Sequence, residues 1–504
     1  MRHIMNYFNR EGKHNQTNQT MNRIFGLLLI FLFSASYGFS KGAVTIYPAP
    51  AGEVLNTKFK VSVNGKDVPV YNAKIGMENK EDREKAMDLR LESEKYFDIA
   101  GFASFDLIKG PVRVTVSVSE PVSAAKILPS SFGIKPVIKD KTVSFEVNKP
   151  QNITIEVNGD HIRSLHLFVN PEETDIPDPN DPNVIYFGPG IHEITSIPVG
   201  DNKTVYIAGG AIVRGTVGAD EKWYNGWIPG LKYYEGDSFI LKGKNIAFRG
   251  RGIFDQEWVP THGRSTITAS VEGLKMEGII LRNSSTWTVT LSNCKNVQIN
   301  NIKLLGHRAN SDGIDINASS DVLVENCFIR TLDDLVVVKT LKGTGEAEHI
   351  RVRKCVLWNE VAHALSIGAE LTGKVEDVLF EDCDVIGDHG REWTLRIYHA
   401  DSALIKNVRF ENIRIEESVK FASLWINKAY WSTASERGHI ENVVFKNITV
   451  NNSGRPLEKG IEFLGYDANH AINNVLIDNV EINGKKVTAK DVVTNNYVYN
   501  LTVK

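Results

Sequence analysis

A ten-residue pattern recurs along the second half of the chain and leaves few folds open to it. The segments "NVQINNIKLL" (from Asn296), "DVLVENCFIR" (Asp321), "HIRVRKCVLW" (His349), "DVLFEDCDVI" (Asp377), "NVRFENIRIE" (Asn407), "NVVFKNITVN" (Asn442) and "NVLIDNVEIN" (Asn474) superpose, and "NIAFRGRGIF" (Asn245) and "GLKMEGIILR" (Gly273) join them. Counting the second residue as zero, positions 0, 2, 5 and 7 are apolar, apart from Arg251 at position 5 of the Asn245 copy. That is two short strands of period two, with the phase reset by one extra residue between them. The extra residue demands a bend at position 4, where the chain offers Gly250, Gly278, Asn301, Asn326, Asp382, Asn412, Asn447 and Asn479, with Lys354 as the exception. Gly, Asn and Asp enter the left-handed backbone region most cheaply. Successive copies start 23 to 35 residues apart, which is too variable for a helical array and suits coils of strand with loops of different length. The pattern predicts an all-β chain whose residues 185–504 form a right-handed parallel β-helix.

Cys327, Cys355 and Cys383 all fall at position 5, a column shared with Ile302, Ile413 and Ile448. They read as small apolar residues in an inward stack, although a coil spacing of about 4.8 Å would allow a bridge. Cys294 lies outside the column.

Upstream the pattern changes. Alternating runs such as "KFKVSVNG", "VRVTVSVS", "KTVSFEVN" and "NITIEVNG", separated by turn residues, predict a small antiparallel β-sandwich over residues 41–172, joined through a Pro- and Asp-rich linker at 173–184. Residues 1–40 have the layout of an export signal: Arg23, the apolar run "IFGLLLIFLF" and small residues ending near Gly38 or Ser40, with Met21 as an alternative start. The apolar run is short for a bilayer span, so the expectation is a protein exported to the periplasm or beyond, without a membrane span. A formal charge of −3 and the lack of a basic stripe or zinc-finger spacing argue against a nucleic-acid partner. A monomer acting on a polysaccharide or oligosaccharide, with no cofactor, is expected.

Each coil also has a third strand. Aligning "DGIDI", "DLVVV", "HALSI" and "WTLRI" on their inward residues puts Asp312, Asp334 and His363 in one column, with Asp333 one residue before Asp334. In this frame Asp315, Val337, Ser366, Arg396 and Trp425 point outward, and the next outward column holds Asn317, Lys339, Gly368 and Tyr398. The acids are therefore expected at the rim of a groove, exposed. Carboxylates stacked about 5 Å apart raise at least one pKa, so Asp333 could stay protonated near neutral pH and serve as a general acid. Three carboxylates could instead hold Ca²⁺, but His363, Arg396 and Lys339 are poor company for a cation, and no metal is expected. An isolated Asp-Asp would mark a turn, and isolated Arg or Lys would be solvated surface charge; the stacking of all of them on one face favours a site. Outward-facing Tyr398 and Trp425 suit sugar platforms. "RNSSTWT", "HADSALIK" and "INKAYWSTASERGH" are candidate walls.

At these residues the chain resembles the polygalacturonase family, glycoside hydrolase family twenty-eight: Asn310-Ser311-Asp312, Asp333-Asp334, Ala362-His363-Ala364 and Arg396-Ile397-Tyr398 follow the order of that family's Asn-Thr-Asp, Asp-Asp, Gly-His-Gly and Arg-Ile-Lys elements. A sandwich followed by a β-helix with three Asp residues also resembles the dextranase-like members of the same clan. The resemblance implies a catalytic set of Asp312, Asp333, Asp334 and His363. Asp333 would protonate the glycosidic oxygen, Asp312 and Asp334 would hold and deprotonate water in an inverting hydrolysis, and His363 would support the acid's protonation or orient the sugar. Asn310, Lys339, Arg396, Tyr398 and Trp425 would bind substrate. Two departures stand out: Ala flanks His363, and Tyr398 replaces the Lys that, with the Arg, would hold a uronate carboxylate. Lys339, in the same outward column, is the candidate to supply that charge. A pectin-like polysaccharide is the first expectation for substrate and a neutral α-glucan the alternative. A β-helix lyase and a non-catalytic carbohydrate-binding protein are further readings.

Overall fold

In the computed structural model, residues 42–88, 95–226, 228–453 and 455–504 are described. The expected export signal lies outside the described residues. Residues 42–504 form one compact unit, and among the described residues no helix is long and apolar enough to cross a membrane.

From Val184 onward the chain winds into a right-handed parallel β-helix, one 31-stranded sheet in which nearly every strand pairs in parallel with its counterpart a coil away. Its three columns of strands are represented in one coil by Lys295–Asn300, Lys303–Leu305 and Ile314–Asn317. The apolar positions of the repeat point inward: Val297, Ile299, Ile302 and Leu304 are buried, and their equivalents in the other coils form one continuous core. Cys327, Cys355 and Cys383 lie in that core as free thiols, as does Cys294.

The bend at position 4 takes the predicted form. Gly278, Asn301, Asn326, Asp382, Asn412, Asn447 and Asn479 have positive φ, and Lys354 adopts φ 54° as well. A second left-handed column, which the apolar pattern does not predict, runs through the first residue of each copy: Asn245, Asn296, Asp321, His349, Asp377, Asn407, Asn442 and Asn474. In the later coils both columns stack as amide ladders, Asn407–Asn442–Asn474 and Asn412–Asn447–Asn479, whereas Asn326 donates to Asn300 and not to Asn301. Asn447 donates to Asn412 at 3.0 Å and Asn474 to Asn442 at 3.1 Å.

Ahead of the β-helix, a five-stranded and a six-stranded sheet face each other across a shared apolar core. Most of their pairings are antiparallel, but Asp160–Pro171 runs parallel to Asp98–Lys109. No strand occurs between Pro171 and Val184. The six-stranded sheet lies against the outer face of the second strand column, where Tyr71, Phe102 and Phe168 pack on Ile253, Ile280, Phe328, Val356 and Trp358. This contact explains Arg251. It does not occupy an inward core position, and instead reaches the sandwich, donating through Nε to Asp106 at 2.9 Å.

Candidate active site

The third strand column carries the site, and its register explains how residues far apart in sequence meet. Ile314 pairs with Val336, Val336 with Leu365 and Leu365 with Leu395, so the acids ahead of these strands fall on successive coils. Gly313 N donates to Asp334 O at 2.8 Å and Leu335 N to His363 O at 2.9 Å, which fixes Asp312, Asp334 and His363 one coil apart. The coils leave no space for a side chain after Asp312: a Cβ on Gly313 would stand 2.3 Å from Leu335 O.

One carboxylate oxygen each from Asp312, Asp333 and Asp334 lies within 4.8 Å of the others. They line a cavity of about 640 Å³ together with Asn310, Lys339, His363 and Tyr398, a volume suited to a small ligand or a few sugar units. The acids are not exposed at a rim. Asp312 is 2% accessible and Asp334 9%, and Asp333 is partly buried. Arg396 and Trp425 do not line this cavity. Trp425 pairs with Tyr398, whereas Arg396 pairs with Ser423, so Trp425 belongs to the Tyr398 column and not to the Arg396 column. The two-residue difference arises because Ala422 and Leu424 are the inward residues of that coil, and Ala422 is too small to stand out as apolar in the sequence.

Burial would protonate all three acids, and their neighbours separate them. Asp334 Oδ1 accepts from His363 Nδ1 at 2.5 Å and from the His363 backbone N–H at 3.2 Å. Although burial opposes ionisation, the imidazole of His363 and the ammonium of Lys339 hold the Asp334 carboxyl below its usual value. Asp333 is pushed up to about 6 by burial and by the adjacent Asp334. Burial, followed by the charges of Asp315 and Asp333, raises Asp312 well above the ordinary aspartate value. A group held ionised beside one whose pKa is raised toward neutrality is the arrangement that acid–base catalysis uses.

Lys339 stands within the acid cluster. Its Nζ is 3.1 Å from Asp315 and 3.5 Å from Asp312, and lies 4.1 Å from the centre of the Trp287 ring. Burial works against its charge, but Asp315, Glu370 and Asp312 outweigh it, and the ammonium is held well above its ordinary pKa. Asp315, fully buried, is raised to about 7 by that burial despite Lys339. With Lys339 already supplying a cation to Asp312, a Ca²⁺ ion among the three acids would meet like charge. The same pairing commits Lys339 internally, so it has little charge left to compensate for Tyr398.

Arg396 also acts inward. Its Nη1 stands 3.2 Å from His363 Nε2 and bonds to Glu392, and its guanidinium lies 4.1 Å over the Tyr398 ring. A guanidinium only donates, so its position favours the imidazole proton on Nδ1, against Asp334. Asn310, at φ 56° ahead of Asp312, accepts through Oδ1 from His262 Nε2 at 3.1 Å.

Of the expected wall segments, "RNSSTWT" supplies Trp287 and "INKAYWSTASERGH" supplies Trp431. "HADSALIK" does not reach the cavity and instead anchors the Trp431 loop, with Asp401 accepting from Thr433 N and Ala434 N at 2.6 and 2.7 Å. One wall was not identified from the repeat: a hairpin of Trp223–Asn225 and Lys232–Tyr234 brings Tyr224, Tyr233 and Tyr234 to the cavity. The sequence sign of Asp315 is its place in the outward column next to that of Lys339, and Glu370 carries none.

Residues 255–499 match the model of Glycosyl hydrolases family 28. The chain is 30% identical to an endo-polygalacturonase from Pectobacterium carotovorum subsp. carotovorum over 158 residues, covering 30% of this chain and 37% of that protein. It is 29% identical to a polygalacturonase from Juniperus ashei over 210 residues, covering 40% of this chain and 39% of that one. The match thus spans well under half the length of these relatives. Among solved structures, a hyperthermoactive exopolygalacturonase from Thermotoga maritima aligns at 19% identity over 64% of this chain and 83% of its own, with a TM-score of 0.49. The family resemblance drawn from the Asp, His and Arg elements is borne out by the family match.

Proposed function

We propose that this chain, matching family 28 over residues 255–499, is an exported polygalacturonase-type glycoside hydrolase that cleaves a pectin-like polysaccharide with inversion. The observation that carries the reading is the division of the three clustered acids: Asp334 held ionised by His363, and Asp333 raised to about 6. In this reading Asp333 gives its proton to the glycosidic oxygen as the bond to the anomeric carbon breaks. Asp334 takes a proton from the water that attacks that carbon, Asp312, raised well above its ordinary value, helps to hold that water, and His363 and Arg396 keep Asp334 oriented. The clustering of one oxygen from each acid within 4.8 Å is not the carboxyl-to-carboxyl separation that distinguishes inverting pairs, roughly 6.5–9.5 Å, from retaining ones, ~5–5.5 Å. Inversion is therefore supported by the family resemblance and not by the spacing. Proton NMR of the first-formed anomer decides between the two, and a retained configuration overturns the mechanism.

A second reading of the substrate rests on charge. The cations on the cavity wall are each paired, Lys339 with Asp315, Arg264 with Glu221 and Arg391 with Glu84, while Asp312, Asp333, Asp334 and Glu370 face the cavity. A site so supplied with acids favours a neutral or masked sugar over a free uronate beside Tyr398. Release of reducing ends from polygalacturonate, from methyl-esterified pectin and from a neutral α-glucan separates the readings. Turnover of polygalacturonate above the other two would sink the second.

A further inference from the structure

A second cluster of chemistry-bearing side chains lies away from the three acids, where the sandwich meets the β-helix. His161 comes from Asp160–Pro171 of the six-stranded sheet. His389 and Glu417 follow Asp384–Asp388 and Arg414–Ile415 on two adjacent coils. One donor atom from each of the three lies within 4.8 Å of the others, on the wall of a cavity of about 600 Å³. We propose that His161, His389 and Glu417 form a binding site for a divalent transition-metal ion of the zinc class, which pins the sandwich to the coils. Neither the family match nor the expectation of a metal-free protein anticipates it, and it does not depend on the hydrolase reading.

Three observations support the site. His389 Nε2 and Glu417 Oε2 are 3.2 Å apart, and donor atoms around a tetrahedral ion with bonds of about 2.0–2.1 Å stand roughly 3.4 Å from one another. Two imidazoles and a carboxylate form a donor set suited to zinc and its neighbours, and poorly suited to Ca²⁺ or Mg²⁺. Behind His389, the Oε2 of fully buried Glu360 faces Nδ1 at 3.8 Å, beyond hydrogen-bond length, and neither atom has a partner. A metal-bound imidazole carries its proton on the other ring nitrogen and directs it at a carboxylate, which would bring these two atoms together. Two arginines take the other oxygens of these glutamates: Arg330 bonds through Nε to Glu360 Oε1 at 2.7 Å, and Arg455 takes Glu417 Oε1, leaving Oε2 toward His389. The competing account is a protonated His389 bridging Glu360 and Glu417 with no ion.

Full-length protein stripped with chelator and titrated with Zn²⁺, then with Co²⁺, tests the site. One equivalent should bind, Tm should rise, and the cobalt form should show the intense visible bands of tetrahedral coordination. His389→Gln and, separately, His161→Gln should lose the bound equivalent and the Tm shift, while Asp333→Asn keeps both. If His389→Gln fails to fold, His161→Gln alone decides, because His161 bears no part of the bridge between the two glutamates. No binding, or binding unchanged by His161→Gln, or binding abolished by Asp333→Asn, overturns the proposal.

Discussion

His363 Nδ1 lies 2.5 Å from Asp334 Oδ1, one coil away, with Arg396 Nη1 3.2 Å from the opposite ring nitrogen. The bond couples two residues 29 apart in sequence and holds the Asp334 carboxyl low while its neighbour Asp333 rises. The proposed chemistry depends on this division of charge more than on the presence of three acids.

Asp333→Asn removes the proposed proton donor while keeping the side chain's size. Turnover should fall by about 10²–10⁴-fold with little change in KM, read from initial rates on the best substrate. The same variant has a pH-dependent stability effect. Asp333 has the ordinary aspartate value of 3.8 when unfolded and is raised to about 6 when folded, so the folded wild type carries an ionisation cost that grows from pH 3.8 to 6 and is complete above it. Asn has no such cost. The variant should melt above wild type at pH 7, and the gap should narrow as pH falls toward 4.

His363→Ala should move the acid limb of the kcat/KM profile. Without the imidazole, the Asp334 carboxyl loses the partner that offsets its burial, its pKa rises, and the base becomes protonated at a higher pH. An acid limb that stays in place would remove His363 from the role of holding Asp334.

Lys339→Met tests whether the ammonium belongs to the acid cluster or to substrate. It leaves Asp315 buried beside Asp312 without a cation, and breaking such a buried pair costs about 3–5 kcal/mol, measurable by denaturant unfolding. Asp315→Asn in the same chain should restore much of that stability. If Lys339→Met leaves stability unchanged and raises KM for an acidic substrate alone, Lys339 is a uronate ligand after all.

Lys354→Asn should stabilise the fold. Lys354 holds φ 54° at a bend where the other described copies carry Gly, Asn or Asp, and the left-handed conformation costs an ordinary residue about 1–2 kcal/mol. A gain of about 1 kcal/mol is expected by thermal or urea unfolding, and a loss would mean that Lys354 makes a contribution outweighing its backbone strain.

The sequence by itself determined the coil. The alternation at positions 0, 2, 5 and 7 reports which side chains face inward, because successive strand residues point to opposite sides, and the Gly, Asn or Asp at position 4 reports where the backbone must turn left-handed. That pattern sufficed to bring Asp312, Asp334 and His363 onto one ledge. It could not show what covers an outward face. Phe328, Val356 and Trp358 lie under the sandwich, and Arg251 reaches Asp106, through contacts between segments more than a hundred residues apart. The same limit applies within the site. The pairing of Lys339 with Asp315, the burial of the acids and the hairpin wall carrying Tyr224, Tyr233 and Tyr234 depend on how loops of unequal length close over the coils. The placement of His161 against His389 depends on how the sandwich docks on the coils. A repeat fixes the spacing of the strands and leaves the loops free, so the tertiary structure alone decided which charges were left to meet a substrate.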